Sequence, residues 1–345
     1  MGNKSKNKPT IKTIAKIAEV SHSTVSRALL NDRRITKATT ERIQKIAAEI
    51  GYVPNAYARA LVTKSIPKNV GMVVPSLGKE TVYSLDVEHI NVEAAGRGVS
   101  VLLGISNRDI ELEKHFCNVM CENGVGALFI SPISSDVSHI KDICRDKVPV
   151  IFIGGKTGTE EDYYITMDYA HGLQVAVDHL HSHGHRDITL AVYSPDNKTI
   201  QQKISGYETA MHTYGLKTSI HWEGDSSDTF NAGKLLIKRL LAENKLPTAI
   251  CCASDLMAIG LIDELRANGL NVPGDISVIG HDDLFLSGIA SFSITTLAIS
   301  ETDLAKHALD LALSIINSTK GVSGYTLTAS LIKRSTTAQV NLNNR

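Results

Sequence analysis

No stretch of the 345 residues holds the run of about 18 apolar side chains that a membrane-spanning helix needs, so no membrane contact is expected. The opening segment MGNKSKNKPT is charged and has no apolar stretch behind it, which argues against a secretory signal and for the cytoplasm. Cysteine is scarce and odd in number: five, which in a long chain reads as buried reduced thiols rather than a disulfide framework. Cys117 and Cys121 lie four apart on an expected helix and Cys251 and Cys252 fall in an expected buried strand, with no zinc-like spacing elsewhere. His179, His181, His183 and His185 alternate on a helical segment and point in different directions, so they gather no metal. A nucleotide fingerprint is also missing. Gly154-Gly155-Lys156-Thr157-Gly158 echoes a phosphate loop but lacks its first glycine at the required spacing. No nucleophile–base–orienter set stands out, so an enzyme is not expected, and neither a cofactor nor a metal is implied.

Net charge is absent as well, with 36 Lys and Arg against 36 Asp and Glu. That neutrality conceals a division. Residues 1–70 hold 14 basic side chains and four acids, a net of +10, and the remaining 275 carry −10. A basic head on an acidic body is what contact with a polyanion at one end requires.

The head reads as a basic disordered arm over 1–8 and a helical unit over 9–53. Ile11, Ile14, Ala15 and Ala18 recur at helical spacing behind a Thr10 cap. Ser21 then caps a second short helix, in which Val25, Ala28 and Leu29 face inward and His22, Ser23, Ser26 and Arg27 face outward. A third helix follows Thr36, with Ile43, Ile46, Ala47 and Ile50 inward, and Gly51 ends it. Two short helices joined by a tight turn form a helix-turn-helix, whose second helix enters the major groove of DNA. A small helical bundle with a merely solvated face fits the helix pattern equally well; the basic charge favours DNA.

Two motifs add to this. Thr24-Val25-Ser26-Arg27, followed by Gly51-Tyr52-Val53-Pro54-Asn55-Ala56-Tyr57-Ala58-Arg59-Ala60-Leu61, resembles the headpiece and hinge of the LacI/GalR family of bacterial transcription regulators, without a gap over about 60 residues. The resemblance implies that His22, Ser23 and Arg27 read base edges, Arg27 suiting guanine. It implies phosphate contacts from Ser21, Thr24, Thr36 and Thr39. Residues 54–69 become a hinge helix and linker that lies in the minor groove, through Asn55, Ala58 and an intercalating Leu61.

From residue 70 to 345 short Val- and Ile-rich runs alternate with amphipathic segments. Strands are expected at Val70–Val74, Val99–Ile105, Ala127–Ile130, Val150–Ile153, Ile188–Tyr193, Ile250–Ala253 and Ile276–Ile279. Helices are expected at Asp86–Arg97, Glu111–Glu122, Gly172–His183, Ile200–Tyr214, Ala232–Glu243 and Leu256–Asn268. This is an α/β pattern with enough strands for two doubly wound parallel sheets behind the all-α head. Ligands of such sheets bind outside the carboxyl ends of the strands.

The body too resembles the family, whose regulatory part is a two-lobed, periplasmic-binding-protein-like effector-binding and dimerisation unit. The matching segments are Ala253–Gly260, Val272–Asp283, Thr295-Thr296-Leu297 as a return crossover, and Leu331–Thr336 as a terminal strand. By that resemblance Asp282 binds effector, Lys203 replaces a frequent arginine, and Ser254 stands where Asn is common. Gly154 replaces a polar residue, the usual Asn-Pro-Phe-Phe turn is missing around Leu77–Tyr83, and Tyr83 supplies the aromatic surface instead. A carboxylate at a strand end can accept two sugar hydroxyls, whereas Lys for Arg loses the planar fork.

The implied function is a repressor that binds near-palindromic double-stranded operator DNA as a homodimer and is controlled by a carbohydrate or, alternatively, a purine or nucleoside. A transport receptor would instead need a signal peptide and no headpiece. If the basic head meets DNA, operator affinity measured by fluorescence anisotropy falls with salt, with a log–log slope near −0.9 per phosphate neutralised. Salt-insensitive binding would contradict the charge argument.

Overall fold

Three short helices with side-chain caps make up the first unit of the computed structural model, which describes residues 9–52, 69–78, 82–154, 162–195, 197–224, 228–319 and 321–341. Helix α1 (Ile11–Ile17) starts at Thr10, α2 (His22–Leu29) at Ser21 and α3 (Lys37–Glu49) at Thr36, each cap hydroxyl accepting the N–H three residues on. Ile14, Ala15, Ala18, Val25, Ala28, Ile43 and Ala47 are buried together, and Arg42 donates to the Ala18 carbonyl at 3.0 Å to hold α3 to the end of α1. The expected hinge residues Asn55, Ala58 and Leu61 lie outside the described residues, as does the expected arm over 1–8. Chain contacts divide the molecule between Pro67 and Lys68.

The second unit has two lobes, each with a six-stranded sheet. In chain order the first lobe takes β1 (Asn69–Val74), α4 (Val82–Gly96), β2 (Ser100–Ile105), α5 (Ile110–Glu122), β3 (Ala127–Ile130), α6 (Ser138–Cys144), β4 (Val150–Ile153) and β5 (Tyr163–Met167). The second takes α7 (Tyr169–Ser182), β6 (Ile188–Val192), α8 (Lys198–Thr213), β7 (Ile220–Trp222), α9 (Thr229–Ala242), β8 (Ala249–Cys252), α10 (Asp255–Ala267), β9 (Ser277–His281), α11 (Phe285–Gly288) and β10 (Thr295–Ala298). The chain then returns to the first lobe for α12 (Glu301–Ile316) and β11 (Gly324–Leu327), and crosses a third time to end on β12 (Ser330–Ile332).

Strand order is β11-β5-β4-β3-β1-β2 in one sheet and β12-β10-β9-β8-β6-β7 in the other. Every pairing is parallel except β12 on β10. Parallel strands are covered on both faces, which is why their sequences are continuously apolar. On β1, Val70, Met72 and Val74 join one core with α12, while Val73 joins another with Cys117 and Met120 of α5. On β8, Ala249 and Cys251 face one core and Ile250 and Cys252 the other, so both thiols are buried in a strand as expected.

Three details differ from the sequence reading. Thr295-Thr296-Leu297 is a strand of the second lobe, and the crossover follows it, between Ala298 and Glu301. Helix α4 begins at Val82 rather than Asp86, one turn earlier. The short strands β5, β7 and β11 carry too few apolar residues to stand out.

The helices beside the cavity described below pack at backbone contact. A Cβ on Gly206 of α8 would lie 2.2 Å from the Ala170 carbonyl oxygen of α7, and one on Gly260 of α10 would lie 2.0 Å from that of Phe230 of α9. Neither neighbour is a flexible tip that can yield. Gly206→Ala should therefore destabilise the fold by about 1–3 kcal/mol through overpacking, read as a lower urea midpoint at unchanged slope. An unchanged midpoint would mean that α7 and α8 are not tightly apposed.

Candidate functional site

Two sites emerge, one in each unit. In the first, His22 and Ser23 are exposed in the opening turn of α2 and Arg27 is exposed one turn on. Val25 and Ala28, on the opposite side, are fully buried, which fixes the helix with its polar face outward. The Arg27 guanidinium makes no hydrogen bond or ion pair among the described residues, so it is available to a ligand. Ser21 and Thr24 share hydroxyl contact at 2.8 Å, as do Thr36 and Thr39, so the four expected phosphate-contacting residues sit as two pairs at the starts of α2 and α3. Helix N-termini attract anions through their free N–H groups and dipole. Ser23 also shares a hydroxyl contact with Ser21, at 2.8 Å. Asp32 is held well below the usual carboxylate range by hydrogen bonds from the side chain and backbone of Arg34, leaving that acid occupied at its own turn.

The second site lies between the lobes, where residues at or just after the carboxyl ends of five strands line a cavity of about 450 Å³. Ser131 follows β3, Gly154 follows β4, Met167 ends β5, Tyr193 follows β6 and Asp282 follows β9. Tyr83 and Asp86 of α4, Tyr169 of α7 and Lys203 of α8 complete the wall. The volume is in the range of small-molecule pockets, and the place is where doubly wound sheets put their ligands.

Asp282 sits on a backbone of φ +105°, followed by Asp283 at +53°, a conformation that side chains other than glycine avoid and that marks functional loops. The turn is clamped from three sides. The Asp282 N–H donates to Leu297 at 2.7 Å. Asp283 accepts from Arg334 at 2.6 Å. Asp255 of α10 accepts from the Leu284 N–H at 2.8 Å and from the Thr296 hydroxyl at 2.6 Å. His281, fully buried and stacked on Tyr169, contacts Asp282 through Nδ1 at 2.7 Å. Burial, and then Lys203, pushes the His281 pKa down against the pull of Asp282. Burial would raise Asp282, but His281 and Lys203 hold it below the ordinary carboxylate value.

Lys203 is buried, donates to the Ala253 carbonyl at 2.8 Å and lies 5.2 Å from the Tyr169 ring centre. Burial lowers its pKa against the pull of Asp282 and Asp255. The ammonium thus anchors the cavity floor to the end of β8 as much as it faces a ligand.

Asp282, Lys203 and Tyr83 come together as the sequence implied. Ser254 does not: its hydroxyl caps α10, accepting from the Met257 N–H at 3.2 Å, and it does not line the cavity. In this structure that hydroxyl is committed to the cap. The neighbouring Asp255 works instead from behind, as a brace. Sequence reading missed Asp86, Tyr169 and Tyr193. Burial, followed by the charges of Glu301 and Asp282, raises Asp86 to about 7. Of the four histidines, His179 meets Thr337 and packs against His183, His185 meets the Ala338 carbonyl and His181 stacks on Tyr214.

Comparison with known proteins finds matches in both units. Residues 10–55 match the model of bacterial regulatory proteins of the lacI family, and residues 177–337 match a periplasmic binding protein-like domain. The chain is 28% identical over 306 residues to the HTH-type transcriptional repressor CytR of Escherichia coli K12, covering 88% of this chain and 89% of that protein. It is 30% identical over 308 residues to the probable HTH-type transcriptional repressor ExuR of Bacillus subtilis, covering 89% and 92%. Among solved structures, a Lac repressor dimer bound to operator and the anti-inducer ONPF superposes with a TM-score of 0.85 at 27% identity, over 96% of this chain and 99% of that one. With its headpiece and its two-lobed body both matched, the chain belongs to the lacI family of bacterial regulatory proteins.

Proposed function

We propose that this chain is a transcriptional repressor of the bacterial cytoplasm that binds a near-palindromic operator as a homodimer and is controlled by a small polyol, a sugar or sugar derivative, in the cavity between its lobes. What carries the reading is the presence in one chain of an outward helix with an unpaired arginine and of a ligand-sized cavity ending in an ionised, braced aspartate. Twofold protein symmetry suits a twofold operator, each α2 reading one half-site. His22, Ser23 and Arg27 take base edges, and Ser21, Thr24, Thr36 and Thr39 take phosphates. Asn55, Ala58 and Leu61 belong to the proposed hinge over 54–69, between a headpiece over 9–53 and a body over 70–345. Among the described residues no helix is long and apolar enough to cross a membrane.

In the cavity, Asp282 accepts two hydroxyls and the tyrosine rings supply faces for the apolar side of a sugar. A structure of the Lac repressor in its repressed state bound to ONPG, 26% identical to this chain, supports a sugar-like ligand in this architecture. Three tyrosines around one cavity also suit a stacked purine or nucleoside, which is the second reading. Ligand in the cleft acts on DNA binding by preferring one arrangement of the lobes, with a coupling of about 1–3 kcal/mol typical of such linkage.

Three substitutions separate the roles. Arg27→Ala should weaken the preferred operator roughly ten- to a hundredfold and relax preference at one base position, in a selection on randomised DNA. Thr39→Ala should weaken all sequences about equally; a shifted base preference would remove it from the phosphate contacts. Asp282→Ala should abolish the effector response in an operator-binding titration while leaving unliganded operator affinity within about twofold, since the two sites lie in separate units. A normal response would place the effector elsewhere.

A further inference from the structure

Among the described residues, two polar groups in the cavity wall have no hydrogen-bond partner. Asp86 is only 5% exposed, and among the described residues its carboxyl makes no hydrogen bond and no ion pair. The Ser131 hydroxyl, 4% exposed, has no partner either. Both line the same cavity, one from the first turns of α4 and the other from the end of β3. Folds rarely keep a buried carboxyl unsatisfied, and one that faces a ligand-sized space is satisfied by what enters that space.

The charges around it restrict what that is. Asp282 stands in the same wall and Glu301, in the first turn of α12, is close enough to push on Asp86. Of the cations, Lys203 is engaged by the Ala253 carbonyl and by Asp282, Lys198 is exposed at the rim, and Arg108 acts on Tyr83 and Tyr193 rather than on Asp86. The start of α8 is closed to anions because Asn197 already accepts its first N–H groups. A phosphorylated or carboxylated ligand would thus meet two acids, and a neutral sugar would offer Asp86 hydroxyls only, where an ammonium offers an opposite charge. Tyrosine faces beside the acids favour a cation further.

We propose that Asp86 is a specificity-determining carboxyl of this cavity and that the effector is a polyhydroxylated compound bearing a protonated amine, of the amino-sugar class, whose ammonium is held by Asp86 with the Ser131 hydroxyl. This rests on the cavity being the effector site and narrows what that site takes.

A dependence on pH follows. The groups facing Asp86 are Tyr83 on its own helix, Tyr169 from α7, Asp282 after β9 and Glu301 from α12. With the Asp86 carboxyl raised to about 7, an ammonium ligand must displace a proton below that pH, so its affinity falls as the solution is acidified. A neutral sugar accepting a hydrogen bond from protonated Asp86 would show the opposite trend.

The test is a thermal-shift and binding titration of the full-length chain with glucosamine, galactosamine, mannosamine, glucose, galactose and glucose 6-phosphate. At least one amino sugar should raise Tm, bind tenfold or more tighter than its neutral counterpart, and lose roughly tenfold in affinity per pH unit below about 7. Asp86→Asn, nearly isosteric, should abolish that advantage and the pH dependence, and Ser131→Ala should weaken the same ligand without touching the pH profile. Preference for a neutral or phosphorylated sugar, or an amino sugar whose binding ignores Asp86→Asn, overturns the proposal, as does a set of amino sugars that all fail. The outcomes separate the two readings. Neutral-sugar binding that depends on Asp282 but not Asp86 sinks only this inference, whereas no ligand of any kind in the cavity sinks the effector site itself.

Discussion

A single buried carboxylate, Asp255, holds the second lobe's ligand-facing edge in place. It joins the start of α10, the turn after β9 and the strand β10, through the Leu284 N–H and the Thr296 hydroxyl. Burial raises it to about 7, against the hydrogen bonds that favour its charged form. Gly280 fits against it, since a Cβ there would fall 2.0 Å from its Oδ1. Because this brace fixes the turn, Asp282 can be kept at a left-handed φ and presented to the cavity instead of relaxing into an ordinary strand end. Arg334, arriving from the last segment, closes the same turn from the other side by pairing with Asp283 and donating to the Ile294 carbonyl.

That arrangement divides labour between groups that face the ligand and groups that aim them. His281 and Asp255 touch no cavity space, yet without them Asp282 has no fixed orientation. Lys203 does both, since its ammonium faces Asp282 while bonding the end of β8. On the first lobe, Glu113 plays a similar part: fully buried, it accepts from the Ile133 N–H at 3.0 Å and meets His139 at 2.8 Å, which shapes the loop after β3 that lines the cavity. Each lobe therefore carries a buried acid that positions a ligand-facing loop from beneath.

Much of this was legible in the sequence. The alternation of apolar runs and amphipathic segments gave two parallel sheets because fully buried strands must be apolar on both faces, as Val70–Val74 and Ala127–Ile130 are. Caps at Thr10 and Ser21, and the apolar spacing after Thr36, announced the three headpiece helices. Strands β5, β7 and β11 escaped because they stand toward sheet edges, where Tyr, Thr, His and Trp replace aliphatics. The capping role of Ser254 was not legible, because position in a motif says nothing of which way a short side chain points. Asp86 escaped for a local reason: with α4 starting at Val82, Tyr83 and Asp86 lie one turn apart on the cavity side, a juxtaposition hidden when the helix is begun at Asp86 itself.

The first lobe has a consequence for biosynthesis. Its main core is completed by Leu304, Ala305, Ala308, Leu309, Leu311, Ala312 and Ile316 of α12, and its sheet by β11. These segments emerge from the ribosome after the whole second lobe except its last strand. At roughly 5–20 residues per second, the first lobe waits about 7–30 seconds with an open core and an unpaired edge on β5. The part of the body made first is thus finished nearly last, and nascent-chain protection must cover it for the time it takes to synthesise its neighbour.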